Sequence, residues 1–278
     1  MVNTIFITGA SSGIGLASAR LFFEKGWNVV ATMRTPEKDT ELKELASGRM
    51  LILRLDVQDL ASIAPAVDAA LAKFGSIDVL LNNAGYGQLG LFEMTPREKI
   101  QEQFGVNLFG LMDVTRAVLP HFRKHKKGGI INVSSGVGYS GMPMMSTYAA
   151  SKFALEGFTE ALAIELASQG VFVKLVVPHD GIGETSFSAR ARSSAALDAA
   201  LMPDYGAFME KSMEAIGKLS VAKGTEAKDV AQAIFEAATD GTDRLRYFVG
   251  DYEHSFIKVR YGSKNDQEYV AYVRSFFQ

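Results

Sequence analysis

A tyrosine and a lysine stand four residues apart in the stretch YAASK, from Tyr148 to Lys152. Residues at this spacing share one face of a helix, so the phenol and the ammonium group are neighbours. An unperturbed phenol has a pKa of about 10, roughly three units too high for acid–base catalysis at neutral pH. A neighbouring cation favours the phenolate, so the pair is a candidate for proton transfer. Taken alone, the spacing fits an ordinary exposed Tyr/Lys pair better.

A second candidate is the stretch TGASSGIG, which carries glycines at positions 9, 13 and 15 and precedes a helical pattern. Glycine allows the backbone to approach a pyrophosphate, and a helix N-terminus offers N–H groups and partial positive charge to it. The spacing G-x-x-x-G-x-G differs from the usual fingerprint G-x-G-x-x-G. The stretch predicts a dinucleotide cradle of different geometry, or else a glycine-rich turn without a ligand.

Two further polar residues support the chemistry of the YAASK pair. Ser135 ends a predicted strand thirteen residues before Tyr148, so its hydroxyl can reach the same cleft; it is otherwise a simple turn serine. Asn107 interrupts the apolar helix VNLFGLM, although asparagine is a poor helix former. With Gly105 and Gly110 beside it, Asn107 indicates a local helix irregularity, or a solvent-facing polar residue.

The elements that must position these residues alternate between two patterns. Short β-branched segments, whose nearly continuous hydrophobicity is typical of strands buried on both faces, lie at 5–8, 28–32, 51–57, 78–83, 130–135, 173–178 and 246–250. Helical patterns lie between them, notably at 14–25, 60–74, 96–124 and 146–168. The alternation predicts an α/β fold with a doubly wound parallel sheet of about seven strands.

Unusual residues follow six of these strands at their carboxyl ends, where open α/β sheets bind ligands. They are the glycine loop, Arg34, Asp56 with Val57, Asn83 to Gly85, Ser134 with Ser135, and the segment from Pro178 to Gly181. Their convergence predicts a single binding cleft at one edge of the sheet.

We expect one domain, residues 1–278, because neither repeats nor low-complexity linkers divide the chain. The region 181–223 breaks the alternation and contains no convincing strand. It is equally consistent with a lid over the substrate and with a pair of surface helices.

Composition excludes several classes of function. The 278 residues are 47% hydrophobic and carry a net charge of −2. This charge balance indicates no basic surface for binding nucleic acid or an acidic membrane. The absence of cysteine excludes disulfides, thiol nucleophiles and Cys-ligated metals. No run of about 18 apolar residues occurs, and we expect a cytoplasmic protein without a membrane span.

Together, TGASSGIG, NNAG, the mid-helix asparagine, the strand-end serine and YAASK resemble the short, single-domain branch of the short-chain dehydrogenase/reductase family in order and spacing. The resemblance implies a Rossmann-type fold and assigns a role to each residue. Tyr148 is the acid–base residue, and Ser135, favoured over Ser134 by spacing, stabilises the substrate oxyanion. Lys152 lowers the Tyr148 pKa and holds the nicotinamide ribose, while Asn107 positions a water that links Lys152 to solvent.

The same resemblance bears on the cofactor. NAD-binding members place an acidic residue at the end of the second strand, where this chain has Met33, followed by Arg34. Arginine attracts a 2′-phosphate, so we expect NADP(H). The implied cofactor contacts are Gly9, Ser11, Ser12, Gly13, Ile14, Gly15, Arg34, Asp56, Val57, Asn83, Ala84, Gly85, Tyr148, Lys152, Pro178, Ile182 and Thr185.

The loop PHDGIGETSF departs from the family pattern. His179 stands where glycine is usual, and two extra residues precede Thr185. His179 and Asp180 either shape the substrate pocket or only alter the loop. Met142, Met144 and Met145 form either an adaptable apolar pocket or plain packing.

The resemblance implies NADPH-dependent reduction of ketones or aldehydes, reversible as alcohol oxidation, with a fairly apolar substrate and a homotetramer or homodimer. The alternative is a non-catalytic NADP-binding sensor or scaffold of the same fold. His121 and His125 share a helix face, but a third ligand is lacking and cations are expected near a helix C-terminus, so we predict no metal site.

Overall fold

The computed structural model describes residues 2–45, 48–179, 202–221, 225–252 and 255–277. Its strands are β1 (Thr4–Thr8), β2 (Asn28–Met33), β3 (Met50–Arg54), β4 (Val79–Asn82), β5 (Gly128–Val133), β6 (Val171–Pro178) and β7 (Arg246–Val249). They form one parallel sheet in the order β3-β2-β1-β4-β5-β6-β7. The order reverses between β1 and β4, so the predicted doubly wound sheet is confirmed.

The helices of the described residues are α1 (Gly13–Glu24), α2 (Leu60–Phe74), α3 (Arg97–Phe104), α4 (Leu111–His125), α5 (Ser146–Ala167), α6 (Met202–Val221), α7 (Ala227–Thr239), α8 (Phe256–Gly262) and α9 (Asp266–Arg274). Helices α1 and α7 pack on one face of the sheet, and α2, α4 and α5 pack on the other.

The central strands are largely apolar because both faces of the sheet are covered. In β1, Ile5 and Ile7 enter the core beneath α1 and α7, whereas Phe6 enters the core beneath α2, α4 and α5. The same alternation separates Val79 from Leu80 in β4. Successive strand side chains point to opposite faces, so a strand between two helical layers has no solvent-facing position for a polar residue.

Four strands end earlier than the sequence pattern suggested, β7 by one residue at Val249. β3 ends at Arg54, β4 at Asn82 and β5 at Val133. The loops beyond β3, β4 and β5 therefore contain residues that were expected within the strands, and the backbone turns there at the carboxyl edge of the sheet. Among them are Asp56, Val57, Asn83, Ser134 and Ser135. Side chains take part in that turn: the Thr8 hydroxyl, for example, accepts the backbone N–H groups of Asn83 and Ala84, both at 3.0 Å.

The segment 96–124, expected to be one helix, is interrupted. Helix α3 leads into a π-helical segment, Gly105–Gly110, before α4 begins. A side chain at Gly110 would come within 2.6 Å of the carbonyl oxygen of Val57, so glycine lets the segment approach the loop after β3. The helix irregularity expected around Asn107 is confirmed.

The region that breaks the β–α alternation is partly described. Residues 202–221 form α6, whereas Asp180 and residues 181–201 and 222–224 lie outside the described residues. The tail after β7, to which the sequence assigned no structure, forms α8 and α9. Ile257 of α8 packs into a cluster with Tyr139, Leu175 and Val177, at the carboxyl end of the sheet.

Candidate active site

The glycine loop between β1 and α1 is shaped by conformations and contacts that exclude side chains. Gly9 and Gly13 have φ angles of 70° and 56°, in the left-handed region. A Cβ at Gly9 would lie 2.9 Å from the Cα of Ala84, and a Cβ at Gly15 would lie 2.3 Å from the carbonyl oxygen of Gly9. The loop therefore leaves backbone N–H groups uncovered by side chains at the N-terminus of α1, where the phosphates of a dinucleotide can bind.

The loop after β4 fixes this cradle from the side. The Asn83 side-chain nitrogen donates hydrogen bonds to the carbonyl oxygens of Thr8 and Gly9, both at 3.0 Å. Asn83 and Ala84, both expected at the cofactor, thus lie against the glycine loop, whereas Gly85, expected there as well, faces Asn107, whose Oδ1 would lie 3.2 Å from an added Cβ. Ser11 is exposed and Ser12 half-buried immediately before α1, and the half-buried Ile14 packs against the hydrophobic core.

The expected adenosine contacts lie at the ends of β2 and β3. Met33 is buried and Arg34 beside it is exposed, so the guanidinium stands at the surface of the cleft edge. The Asp56 carboxylate accepts the backbone N–H of Gln58 at 3.1 Å, which orders the turn that carries Val57. Pro178 ends β6 as expected. Ile182 and Thr185 lie outside the described residues.

Ser135 and Tyr148 meet at the carboxyl edge of β5. Their side chains are joined by a hydrogen bond, and Ser135 begins the short turn that follows the strand. One turn further along α5, the Lys152 ammonium donates to the carbonyl oxygen of Val133 at 2.8 Å. The three predicted residues are thereby brought together from β5 and α5, with Tyr148 and Lys152 buried.

Burial shifts the pKa values of Tyr148 and Lys152 in directions that the sequence did not predict. It raises the pKa of Tyr148 to about 12, and the hydrogen bond with Ser135 opposes that rise. It lowers the pKa of Lys152 to about 8, against the attraction of Glu156. Desolvation of the phenol is the largest cause of the Tyr148 shift, and the lowering effect expected from Lys152 stays a prediction.

Asn107 is buried in the π-helical segment, and both polar atoms of its amide have hydrogen-bond partners. Its Oδ1 accepts the backbone N–H of Tyr86 at 3.1 Å, while its Nδ2 donates to the carbonyl oxygen of Tyr86 at 2.9 Å and to the Ser151 hydroxyl at 3.2 Å. Ser151 in turn donates to the carbonyl oxygen of Tyr148 at 2.7 Å. Asn107 therefore links the loop after β4 to the first turn of α5.

The two neighbouring serines have different surroundings. The Ser135 hydroxyl lies with Tyr148, whereas the Ser134 hydroxyl is buried and has no hydrogen-bond partner among the described residues. This placement agrees with the choice of Ser135 made from spacing.

Three methionines pack together between α6 and the loops that follow β4 and β5. Met94 from the loop after β4, Met144 from the loop after β5 and Met209 from α6 form a buried cluster. The Tyr205 hydroxyl of α6 also donates to the Glu93 carboxylate at 2.8 Å. Helix α6 thus covers the loops that follow β4 and β5, and it does so through flexible, polarisable side chains.

Comparison with known proteins identifies the family. The family model described as short chain dehydrogenase matches residues 3–195. The chain belongs to the short-chain dehydrogenase/reductase family. Its glycine loop, Asn107, Ser135, Tyr148 and Lys152 all lie within the matched segment.

Relatives extend the match toward the C-terminus. The chain is 38% identical over 250 residues to the uncharacterized oxidoreductase YusZ of Bacillus subtilis, covering 88% of each chain. It is 36% identical over 253 residues to human retinol dehydrogenase 8, covering 88% of this chain and 80% of that one. A short-chain dehydrogenase from Streptomyces avermitilis superposes with a TM-score of 0.81 at 30% identity, covering 99% of both chains.

Solved structures similar to this chain contain either nucleotide. A short-chain dehydrogenase/reductase from Burkholderia phymatum in complex with NAD is 26% identical, with a TM-score of 0.75 and coverage of 89% of this chain and 88% of that one. ElxO with NADP bound is 28% identical, with a TM-score of 0.72 and coverage of 89% and 98%. The family membership therefore supports a nicotinamide dinucleotide without selecting between the two.

The structure also places residues in this dehydrogenase site that sequence reasoning missed. Glu156 follows Lys152 by one helical turn, and its carboxylate is bound by Tyr139 and by Arg246 of β7. The spacing of 148, 152 and 156 on α5 is a signal for Glu156. The partner residues carried no signal, because they come from distant parts of the chain.

The histidine pair has a structural role. His121 Nε2 accepts the backbone N–H of Ile77 at 3.2 Å, and the ring of His125 stacks on that of His121 with centroids 4.4 Å apart. Within the described ranges, no cluster of three or more His, Cys, Asp or Glu residues is arranged to hold a metal ion. In the same ranges, no helix combines the length and apolarity needed to span a bilayer.

Proposed function

We propose that this protein is an NADPH-dependent carbonyl reductase that acts on ketones or aldehydes and works reversibly as an alcohol dehydrogenase. The observation that carries the proposal is the hydrogen-bonded pair of Ser135 and Tyr148, placed with the buried Lys152 at the sheet edge that also holds the glycine cradle. A protein that only binds a nucleotide has no need of a hydrogen-bonded serine and tyrosine beside a buried lysine.

The reaction requires a hydride donor and a proton donor on the same carbonyl group. A reduced nicotinamide dinucleotide, held by the glycine loop and Lys152, would supply the hydride that the carbonyl carbon accepts. The Ser135 hydroxyl donates a hydrogen bond to the carbonyl oxygen and stabilises the negative charge that develops there. The Tyr148 phenol gives its proton to the same oxygen, and its raised pKa of about 12 keeps it protonated at neutral pH for this step.

Lys152 and Asn107 support the proton transfer. The Lys152 ammonium holds the nicotinamide ribose and, when charged, favours the phenolate left on Tyr148. Asn107 positions a water that connects Lys152 with solvent, and its bonds to the Tyr86 backbone and to Ser151 hold it beside the first turn of α5. The proton lost by Tyr148 is restored along this route.

The preference for NADPH rests on Arg34. It is exposed immediately after β2, and the preceding Met33 supplies no carboxylate that would repel a 2′-phosphate. An arginine fork matches the geometry of a phosphate group, so we expect the 2′-phosphate to contact this side chain.

The substrate is expected to be apolar. Met94, Met144 and Met209 supply an adaptable apolar surface beside the catalytic loops. The relationship to retinol dehydrogenase 8 agrees with this class. We also expect a homodimer or homotetramer, as in the family, and no nucleic-acid or membrane partner.

The decisive experiment follows NADPH oxidation against aryl ketones, ketoesters, aldehydes and steroids. Wild type should turn over at least one of them, and Tyr148→Phe should lower kcat by about 10²–10⁴-fold while still binding NADPH. Tyr261→Phe, which alters an exposed tyrosine, is the matched control and should remain active. A wild type that binds NADPH but reduces none of these carbonyls contradicts the proposal and favours a sensor or scaffold.

A further inference from the structure

Helix α5 buries three ionisable side chains on one face. Tyr148, Lys152 and Glu156 follow one another at four-residue intervals, and they are only 7%, 6% and 6% exposed. The proposed reaction uses the first two. The third is a carboxylate held inside the protein one turn beyond the lysine, and burial of a charged group is costly unless opposite charge compensates it.

The Glu156 carboxylate is only half engaged by its other neighbours. Its Oε2 accepts hydrogen bonds from the Tyr139 hydroxyl and from Arg246 Nε, the latter at 3.2 Å. The Arg246 guanidinium is shared between two carboxylates, because its Nη2 also donates to Glu160 at 2.6 Å. Glu156 Oε1 has no hydrogen-bond partner among the described residues. The charge of Glu156 is thus incompletely compensated by Arg246.

Lys152 is in the complementary situation. Its ammonium donates to the neutral carbonyl oxygen of Val133, which supplies no opposite charge. Glu156 is the group whose charge favours the ammonium form against the effect of burial. The loop after β5 covers this turn of the helix: a Cβ at Gly138 would lie 3.3 Å from both Glu156 Cγ and the carbonyl oxygen of Lys152. Water is therefore kept from the turn that joins the two charges, which strengthens their attraction.

We propose that Glu156 is a positioning residue for the acid–base pair: its buried carboxylate keeps Lys152 in the charged form, and Tyr139 and Arg246 hold that carboxylate in place. The catalytic consequence rests on the proposed function, whereas the charge of Lys152 can be measured without it. The ionisable groups around the pair are Tyr148 and Glu160 on α5, Tyr139 in the loop after β5, Arg246 on β7, and Arg260 on α8, which donates to the carbonyl oxygen of Tyr139 at 3.0 Å.

The test is the titration of Lys152 in the full-length protein, observed by NMR of protein carrying ¹³Cε-labelled lysine. The Lys152 signal is assigned as the one absent from Lys152→Met. Wild type should titrate with a midpoint near 8. In Glu156→Gln the midpoint should fall by at least about one pH unit, because a nearby opposite charge is removed. Glu160→Gln is the matched control, since it removes the other carboxylate bound to Arg246, and there the midpoint should stay near the wild-type value.

A second neutral variant, Glu156→Met, repeats the measurement in case glutamine prevents folding, because apolar residues of similar volume often replace buried charges without loss of stability. Equal midpoints in wild type and in the folded neutral variant would overturn the inference. If wild type reduces a carbonyl, kcat/KM should fall at high pH as Lys152 loses its charge. This fall should occur at lower pH in the neutral Glu156 variant, by the same amount as the NMR midpoint, and at the wild-type pH in Glu160→Gln. A fall at the wild-type pH in the neutral Glu156 variant would also overturn the inference. A shifted midpoint in a protein that reduces no carbonyl supports the role of Glu156 and contradicts only the proposed function.

Discussion

The side-chain nitrogen of Asn83 lies 3.0 Å from the carbonyl oxygen of Gly9, so a residue of the loop after β4 holds the backbone of the loop after β1. Gly15 packs into the same corner, where an added Cβ would lie 2.5 Å from that nitrogen and 2.3 Å from that oxygen. The shape of the nucleotide cradle is therefore set by contacts across the point where the strand order reverses.

Gly15→Ala should abolish or strongly weaken nucleotide binding, because the methyl group must displace the Gly9 carbonyl or the Asn83 amide. We expect a loss of about 1–3 kcal/mol in the free energy of unfolding as well, from overpacking in a rigid corner. Nucleotide titration by NADPH fluorescence and urea unfolding measure the two effects.

Gly157→Ala is the control for that substitution. Gly157 is an exposed residue of α5, and a Cβ there meets nothing within 4 Å. Alanine is a better helix former than glycine, so this variant should be more stable by about 0.5–1 kcal/mol and bind NADPH normally. If the two variants bind NADPH equally well, the cradle assignment is wrong.

Arg34→Gln should raise the Kd for NADPH about tenfold or more while leaving the Kd for NADH nearly unchanged, because a charged hydrogen bond to the 2′-phosphate is lost. Arg116→Gln removes another exposed arginine, which pairs with Asp113 on α4, and should alter neither Kd. Calorimetric titration with both nucleotides gives the comparison. An equal loss of affinity for NADPH and NADH in Arg34→Gln would refute the 2′-phosphate contact.

Lys174→Met should lower the free energy of unfolding by about 1–3 kcal/mol, because it leaves the half-buried Asp240 carboxylate without its charged partner. The Lys174 ammonium, on β6, donates to Asp240 at 2.6 Å, to the carbonyl oxygen of Ala237 at 3.0 Å and to the Tyr247 hydroxyl at 3.1 Å. Adding Asp240→Asn to Lys174→Met should recover part of the loss in urea unfolding at neutral pH. Strictly additive losses would mean that the two charges do not interact.

His121 should make stability depend on pH. Burial, followed by repulsion from His125, lowers the pKa of His121 below its usual value of 6.5, so folding favours the neutral ring that accepts the Ile77 N–H. The contribution of the neutral ring is then present above about pH 6.5 and lost as the pH falls through the lowered pKa. Urea unfolding across this range should show the loss in wild type, and His121→Gln should reduce it. An unchanged pH dependence in His121→Gln would contradict this account.

The family, the strands and the meeting of Ser135, Tyr148 and Lys152 were predictable because their signals are local. The four-residue spacing in YAASK is enough to place Tyr148 and Lys152 on one face of a helix. Near-continuous apolar runs likewise indicate buried strands wherever they occur. The ionisation of Tyr148 was not predictable in the same way, because its direction depends on how completely the surrounding elements exclude water. The bond between Glu156 and Arg246 joins residues 90 positions apart, and no local pattern encodes it.

The C-terminal helices illustrate the same limit. The sequence after β7 has short, mixed patterns, yet α8 and α9 are fixed by specific contacts with the loop after β5. Tyr269 of α9 donates to the Ser140 hydroxyl at 2.7 Å, and Arg260 of α8 donates to the carbonyl oxygen of Tyr139. Docking of this kind becomes visible only when the position of the partner loop is known.

That docking has a consequence for synthesis of the chain. The loop that begins at Ser135 receives stabilising hydrogen bonds from residues that the ribosome adds 121 and 129 positions after their partners. Until Arg260 and Tyr269 have been added, the loop beside Tyr148 lacks these two hydrogen bonds. The loop beside the proposed acid–base residue therefore receives its last supporting contacts late in translation, after all seven strands have been synthesised.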